Sequence, residues 1–146
     1  MIRDAVPDDL EALVRLLGQL NERASAAPTE RHVEAFRAVS ADPRQRLLVV
    51  EHDSVVVGTA AVIIVPNLGH NGTPYALVEN VVVDEASRGR RHGEALLRYM
   101  IEYARAAGCY KIVLTSRRFR TDAHRFYERL GFEATSEGFR YTLIGD

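Results

Sequence analysis

The sequence predicts an α/β domain, a central mixed sheet with helices on both faces, in the order β-α-α-β-β-β-α-β-α-β-β. Three observations carry that reading. Leu10, Leu13, Leu16, Leu17 and Leu20 recur at helical spacing in "PDDLEALVRLLGQL". Two β-branched runs, "RLLVVEH" and "VVVGTAAVIIV", flank the polar turn His52-Asp53-Ser54 as a hairpin does. From Tyr75 onward, strand-like and helix-like segments alternate, which is the pattern of layered α/β structure.

Each element follows from local chemistry. Residues Ile2 to Ala5 form a short first strand. The helix after it opens on Pro7, with Asp8 and Asp9 at its positive end. "ERHVEAFRAVSADP" is a second helix, closed by Pro43. The Gly/Pro/Asn-rich "PNLGHNGTP" is a loop between the hairpin and a strand from Tyr75 to Val83. A helix runs from about Gly93 to Ala107, with Leu96, Met100, Tyr103 and Ala104 inward and Gly108 past its end. "YKIVLTS" is a buried strand, and "TDAHRFYERL" a short helix capped by Thr121 or Asp122 and stopped by Gly131. "FEATSEGFRYTLI" reads as two final strands around Glu137-Gly138.

Composition narrows the class. At 146 residues the chain fits one domain, residues 1–146, and its 47% apolar and 27% charged content is that of an ordinary globular protein. No apolar run is long enough to span a bilayer, and the opening "MIRDAVPDDL" lacks the layout of a signal peptide, so a cytoplasmic location is expected. The lone Cys109 excludes an internal disulfide and reads as a small buried hydrophobe. His32, His52 and His92 form no ligand spacing, so no metal is expected.

The net charge of −1 conceals an asymmetry. Between Arg88 and Arg125, nine arginines and Lys111 face only Glu94, Glu102 and Asp122, a local excess of seven positive charges. A basic patch in a near-neutral protein points to an anionic small ligand rather than to nucleic acid. A solvated, arginine-rich helix face is the plainer alternative.

The patch begins with "RGRRHGEALL", where a strand hands over to a helix. Such a junction gathers unpaired backbone N–H groups and the positive end of a helix dipole, which together hold a phosphate. Gly89 and Gly93 let the chain curve closely, while Arg88, Arg90 and Arg91 add charge-assisted hydrogen bonds. On these residues alone, an arginine-rich surface turn fits as well. The stretch is neither GxxxxGK[ST] nor GxGxxG.

"VVVDEASRGRRHGEALL" resembles the coenzyme A signature of the GNAT acetyltransferases, Q/R-x-x-G-x-G/A after a strand. Arg88 matches its first position and Gly93 its last, while Arg91 stands where the family usually has its middle glycine. "AHRFYERLGF" resembles the family's A-x-x-[FL]-Y-x-x-x-G-F ending, with Tyr127 at the acid position. From Gly58 onward the chain is most similar to the glucosamine-6-phosphate N-acetyltransferase branch. "VENVVVD", "CYKIVL" and the loop holding His70 carry that likeness, with Asn80 in place of the branch's aspartate.

The resemblance implies acetyl-CoA as donor and a small-molecule amine as acceptor. Backbone amides of Arg88, Gly89, Arg90, Arg91, His92, Gly93 and Glu94 would grip the pyrophosphate, and a bulge near Glu79-Asn80 would admit the pantetheine arm. An N–H within Val81, Val82 and Val83 would polarise the thioester carbonyl. Tyr127 would protonate the departing thiolate. Glu79 is the candidate base, because a carboxylate desolvated in an apolar strand holds a proton more readily; an inert ion-pair partner is the alternative. His70 and Asn80 are candidate acceptor contacts. Arg117, Arg118 and Arg120 serve the coenzyme's 3′-phosphate, an acidic group on the acceptor, or a solvated loop. Arg120 is assigned to the coenzyme, and Arg117 and Arg118 to the acceptor. A homodimer is expected from the resemblance and from strand-rich ends such as "FRYTLI". Two rival functions stay open: a non-catalytic acyl-CoA sensor, and an acetyltransferase acting on protein termini or lysines.

Overall fold

The computed structural model describes residues 1–20, 25–116 and 120–144. The chain falls into two compact units, Met1–Val113 and Leu114–Asp146.

The first unit is built on a five-stranded sheet in sequential order. β1 (Ile2–Asp4), β2 (Gln45–His52), β3 (Val55–Val65) and β4 (Tyr75–Val83) pair antiparallel in turn, and β5 (Ile112–Val113) joins β4 in parallel. The β2–β3 hairpin turns on Asp53 and Ser54, both at positive φ, which matches the twist of the flanking strands. A single 3-10 turn, Pro7–Asp9, precedes α1 (Leu10–Gly18), and α2 (Glu30–Ala41) follows.

Strand alternation assigns the two faces. On one, Val49, Val56 and Val82 pack with Leu13 and Leu16 of α1 and Phe36 of α2. Each such fully buried aliphatic contributes about 1.5–3 kcal/mol. Thr59 opposes Val49 on that face, so its neighbour Gly58 belongs to the opposite one, the register shift at Val50/Glu51 having reversed the alternation after Val56. A Cβ there would stand 3.6 Å from Leu96 Cδ1 and 3.2 Å from Val82 O, so glycine lets α3 (His92–Ala106) approach the sheet. Leu96, Leu97, Met100 and Ala104 are the buried residues of α3, whereas Tyr103 is half-buried beneath the Arg46 guanidinium, 5.2 Å from its ring centroid.

Asp9 does not serve the helix dipole alone. Its carboxylate accepts two hydrogen bonds from Arg3, at 2.7 and 3.0 Å, and one from the Val6 N–H. The Arg3 contact holds it below the usual carboxylate range, against the opposing effect of burial.

In the second unit, α4 (Thr121–Arg129) is followed by Phe132, whose ring meets Tyr127 edge-on at 5.9 Å. The expected order holds through α4. The two final strands do not: among the described residues no ladder includes 132–144. Alternating side chains mark a potential strand, but a strand exists only against a partner edge.

Candidate active site

The site is organised by a defect in β4. Thr59 opposes Val82 and Ala61 opposes Glu79, so two β4 residues, Asn80 and Val81, stand against Ala60 alone. Asn80 absorbs the extra length at φ 56°, a conformation that asparagine tolerates better than most residues. The bulge expected near Glu79-Asn80 is therefore present. On its other side β4 pairs with β5 only at Ala76–Ile112 and Leu77–Val113. Among the described residues, Glu79 to Val83 have no ladder partner on that flank, which leaves backbone groups for an extended ligand.

Glu79 and Asn80 are both exposed. The burial among apolar neighbours expected for Glu79 is therefore absent, and its carboxylate faces solvent beside the bulge.

Asp84, the first residue after β4, is tied into the unit on several sides. Its N–H donates to Val57 O at 2.8 Å. Its carboxylate accepts from the Ala86 N–H, from Arg15 at 2.8 Å and from Gln19 at 3.4 Å. Gln19 also accepts from the Glu85 N–H. Arg15 first, then the Ala86 amide, holds the Asp84 carboxyl below its ordinary range. Helix α1 thus fixes the 3-10 turn Glu85–Ser87 that leads into the arginine-rich segment.

Within that segment Gly89 has φ 85° and Arg91 φ 62°, with Arg91 as the N-cap of α3. Arg91 therefore adopts the left-handed conformation natural to glycine, at a cost of about 1–2 kcal/mol. The first bond within α3 runs from the Ala95 N–H to Arg91 O, so the amides of His92, Gly93 and Glu94 have no partner within the helix. Arg98 binds the Glu94 carboxylate at 2.9 Å, which limits its repulsion of an anion nearby. Arg88, Arg90 and Arg91 are exposed. The His92 ring packs 5.3 Å from that of His52, and its Nε2 is buried with no hydrogen-bond partner among the described residues. Burial, then the charges of His52 and Arg90, push its pKa down, so the ring is neutral near pH 7 and offers an approaching anion no positive charge.

His70 lies elsewhere on the first unit. His70, Asn71 and Gly72 form a left-handed turn, and the His70 ring stacks on Tyr110 at 3.9 Å and 9°. Lys111 Nζ lies 5.2 Å from the Tyr110 centroid and 5.5 Å from that of Tyr75. This group stands at the start of β4, about 13 Å along the strand from Glu79. An open groove of about 540 Å³, lined by Arg44, Ile64, Pro66, Leu68 and Pro74, adjoins the same turn. Sequence reasoning missed Tyr75, Tyr110 and Lys111, which look like ordinary strand residues until the His70 stack gathers them.

In the second unit Tyr127 is half-buried between Phe126 and Phe132. Burial raises its phenol, and the Arg120 charge opposes that shift. Arg117 and Arg118 lie outside the described residues. Cys109 is half-buried, and burial raises its thiol. Among the described residues no helix is long and apolar enough to cross a membrane.

The profile of the Acetyltransferase (GNAT) family matches residues 11–132. The chain belongs to that family. This GNAT acetyltransferase is 36% identical over 141 residues to a glucosamine 6-phosphate N-acetyltransferase of Trypanosoma brucei brucei, covering 92% of this chain and 90% of the relative. It is 28% identical to an aminoalkylphosphonate N-acetyltransferase of Salmonella typhimurium, over 97% and 88% of the two chains. Among solved structures, a Trypanosoma brucei acetyltransferase superposes with a TM-score of 0.83 at 30% identity, covering 98% of this chain and 99% of that one. GNAT acetyltransferases use acetyl-CoA as donor. The bulged β4 and the amide-rich turn fit such a ligand: one offers unpaired strand edge to an amide-bearing arm, the other unpaired N–H groups to a pyrophosphate.

Proposed function

We propose that this enzyme transfers acetyl directly to the primary amine of a small molecule carrying a phosphate or phosphonate, with glucosamine 6-phosphate the first candidate. Similarity over nine-tenths of both chains to the trypanosomal glucosamine 6-phosphate enzyme carries the reading. The aminoalkylphosphonate relative supports it, since the two acceptors share an amine and a phosphoryl dianion. The chain acts as a single acetyltransferase domain over residues 1–146, in the cytoplasm, as a homodimer.

Roles follow from the chemistry. Acetyl-CoA supplies the acetyl group as a thioester. Amides from Arg88 to Glu94 hold its pyrophosphate with the side chains of Arg88, Arg90 and Arg91, and Arg120 takes the 3′-phosphate. An N–H within Val81 to Val83 steadies the negative charge that develops on the carbonyl oxygen. The acceptor nitrogen forms the new C–N bond as the C–S bond breaks, and the nitrogen's proton leaves through water to Glu79. Exposure of Glu79 favours the water-mediated route. Tyr127 donates the proton that the sulfur takes up. Burial favours the neutral phenol, and desolvation favours the neutral thiol for the same reason, so the transfer stays near balance. His70, Asn80, Arg117 and Arg118 are assigned to the acceptor.

A thiol-release assay with acetyl-CoA tests the reading, with mass spectrometry of the product. Glucosamine 6-phosphate, an aminoalkylphosphonate, glucosamine, polyamines, amino acids and a short peptide form the panel. Preference for the phosphorylated amines is expected. Preference for the peptide would move the assignment to protein acetylation, and coenzyme binding without turnover would make the chain a sensor.

A further inference from the structure

Two histidine rings meet at the first turn of α3, and the acetyl transfer uses neither side chain. His92 is the first residue of that helix, and its ring lies 5.3 Å from that of His52, the last residue of β2. The Nε2 of His92 is buried and has no hydrogen-bond partner among the described residues. Buried polar atoms of that kind are rare in folded proteins and ask for a role.

The surroundings of the pair are cationic. Arg90 and the Met1 ammonium, which donates to Glu51 O at 2.9 Å, both act on His92. The carboxylates nearby are engaged elsewhere or stand in water. Asp53 lies 3.4 Å from His52 Nε2 but is almost fully exposed, Glu51 meets Arg3 at 3.4 Å, and Glu94 meets Arg98 at 2.9 Å. Little negative charge is therefore left to offset a proton on the pair, and burial of the His92 ring opposes one as well.

A bound pyrophosphate changes that balance. An anion that accepts from the His92 N–H stands about 2.9 Å from the nitrogen. The ring hangs from the same Cα, so bond lengths alone keep its nitrogens within about 9 Å of the anion, inside the screening length of about 10 Å at 0.1 M salt. We infer that the His52–His92 pair takes up a proton from solvent as the pyrophosphate of acetyl-CoA settles on the turn, so that coenzyme binding strengthens as the pH falls from about 8 to 6. This rests on the reading that amides from Arg88 to Glu94 hold the pyrophosphate. With the rings so close, the added proton belongs to the pair rather than to either ring.

The coupling is reciprocal: the anion favours the proton by the same factor as the proton favours the anion. Two negative charges at that range strengthen binding about three- to tenfold across the interval. The added affinity is complete below the free protein's titration and is lost as the pH rises through that of the coenzyme complex.

Calorimetric titration of the full chain with 3′-dephospho-coenzyme A, near pH 7 in two buffers of different ionisation enthalpy, counts the protons. This probe keeps the pyrophosphate and lacks the 3′-phosphate, which itself titrates at about pH 6. Uptake of roughly 0.3–0.6 proton per coenzyme is expected, falling to near zero in the double variant His52→Leu with His92→Leu. In wild-type protein, two of the five imidazole proton resonances should titrate at higher pH once the coenzyme is bound, a measurement that stands even if the variant fails to fold. Coenzyme binding without proton uptake, or uptake that survives the double variant, would overturn the coupling and leave the phosphate turn in place. A wild type that binds no coenzyme would overturn the assignment of the turn as well.

Discussion

Arg15 of α1 donates a hydrogen bond of 2.8 Å to Asp84, the residue that follows β4. The pair joins a surface helix to the turn before the arginine-rich segment across 69 positions of sequence. As the Arg15 side chain is about half exposed, Arg15→Ala should cost only about 0.2–1 kcal/mol of stability. Its effect should appear in positioning, as a rise of about three- to tenfold in the KM for acetyl-CoA with kcat little changed. Steady-state kinetics beside a urea titration would separate the two; an unchanged KM would mean that the turn keeps its shape without the brace.

Acid stability should follow Asp9. Its folded-state pKa is depressed, chiefly by Arg3, so its contribution is complete above the unfolded value of about 3.9 and is lost as pH falls through the folded value. Asp9→Asn should lower stability at pH 7 by about 1–3 kcal/mol and flatten the loss below pH ~4. Thermal melts from neutral to acid pH would check this, and parallel curves for the two proteins would remove Asp9 from the acid limb.

Arg91→Gly should be more stable than the wild type by about 0.5–1 kcal/mol, since glycine accepts φ 62° without strain. The same change removes a charge proposed to meet the pyrophosphate, so calorimetry should show weaker acetyl-CoA binding. Stability gained with affinity intact would mean that the Arg91 side chain plays no part in binding.

Gly58→Leu should destabilise by about 1–3 kcal/mol, because even a Cβ stands 3.2 Å from the Val82 carbonyl. Denaturant melts would read it. A neutral result would mean that β3 and β4 separate there more readily than their register implies.

Much of the fold was legible because periodicity is local. The leucines of α1, the β-branched hairpin and the helix after Gly93 each declare themselves within one window of sequence. The loop contacts were hidden for the opposite reason: nothing near Arg15 points to Asp84, and nothing near His70 points to Tyr110. The exposure of Glu79 is not legible in the sequence, because an apolar run gives no sign of the bulge beside it at Asn80. The absence of the two final strands is not legible either, because alternation records two faces and says nothing about the neighbouring strand. Arg91 holds a left-handed backbone that its residue type gives no sign of, since arginine seldom adopts positive φ.

Tyr127 as proton donor is the central feature of the proposed acetyl transfer. Wild type and Tyr127→Phe should be compared by thiol release with glucosamine 6-phosphate, with acetyl-CoA affinity measured by calorimetry. The expected result is turnover by the wild type and a kcat lower by about a hundredfold or more in the variant, at nearly unchanged affinity. Equal kcat for the two proteins would contradict the role of Tyr127, and a wild type that binds acetyl-CoA but releases no thiol with any amine would contradict direct transfer to a small acceptor.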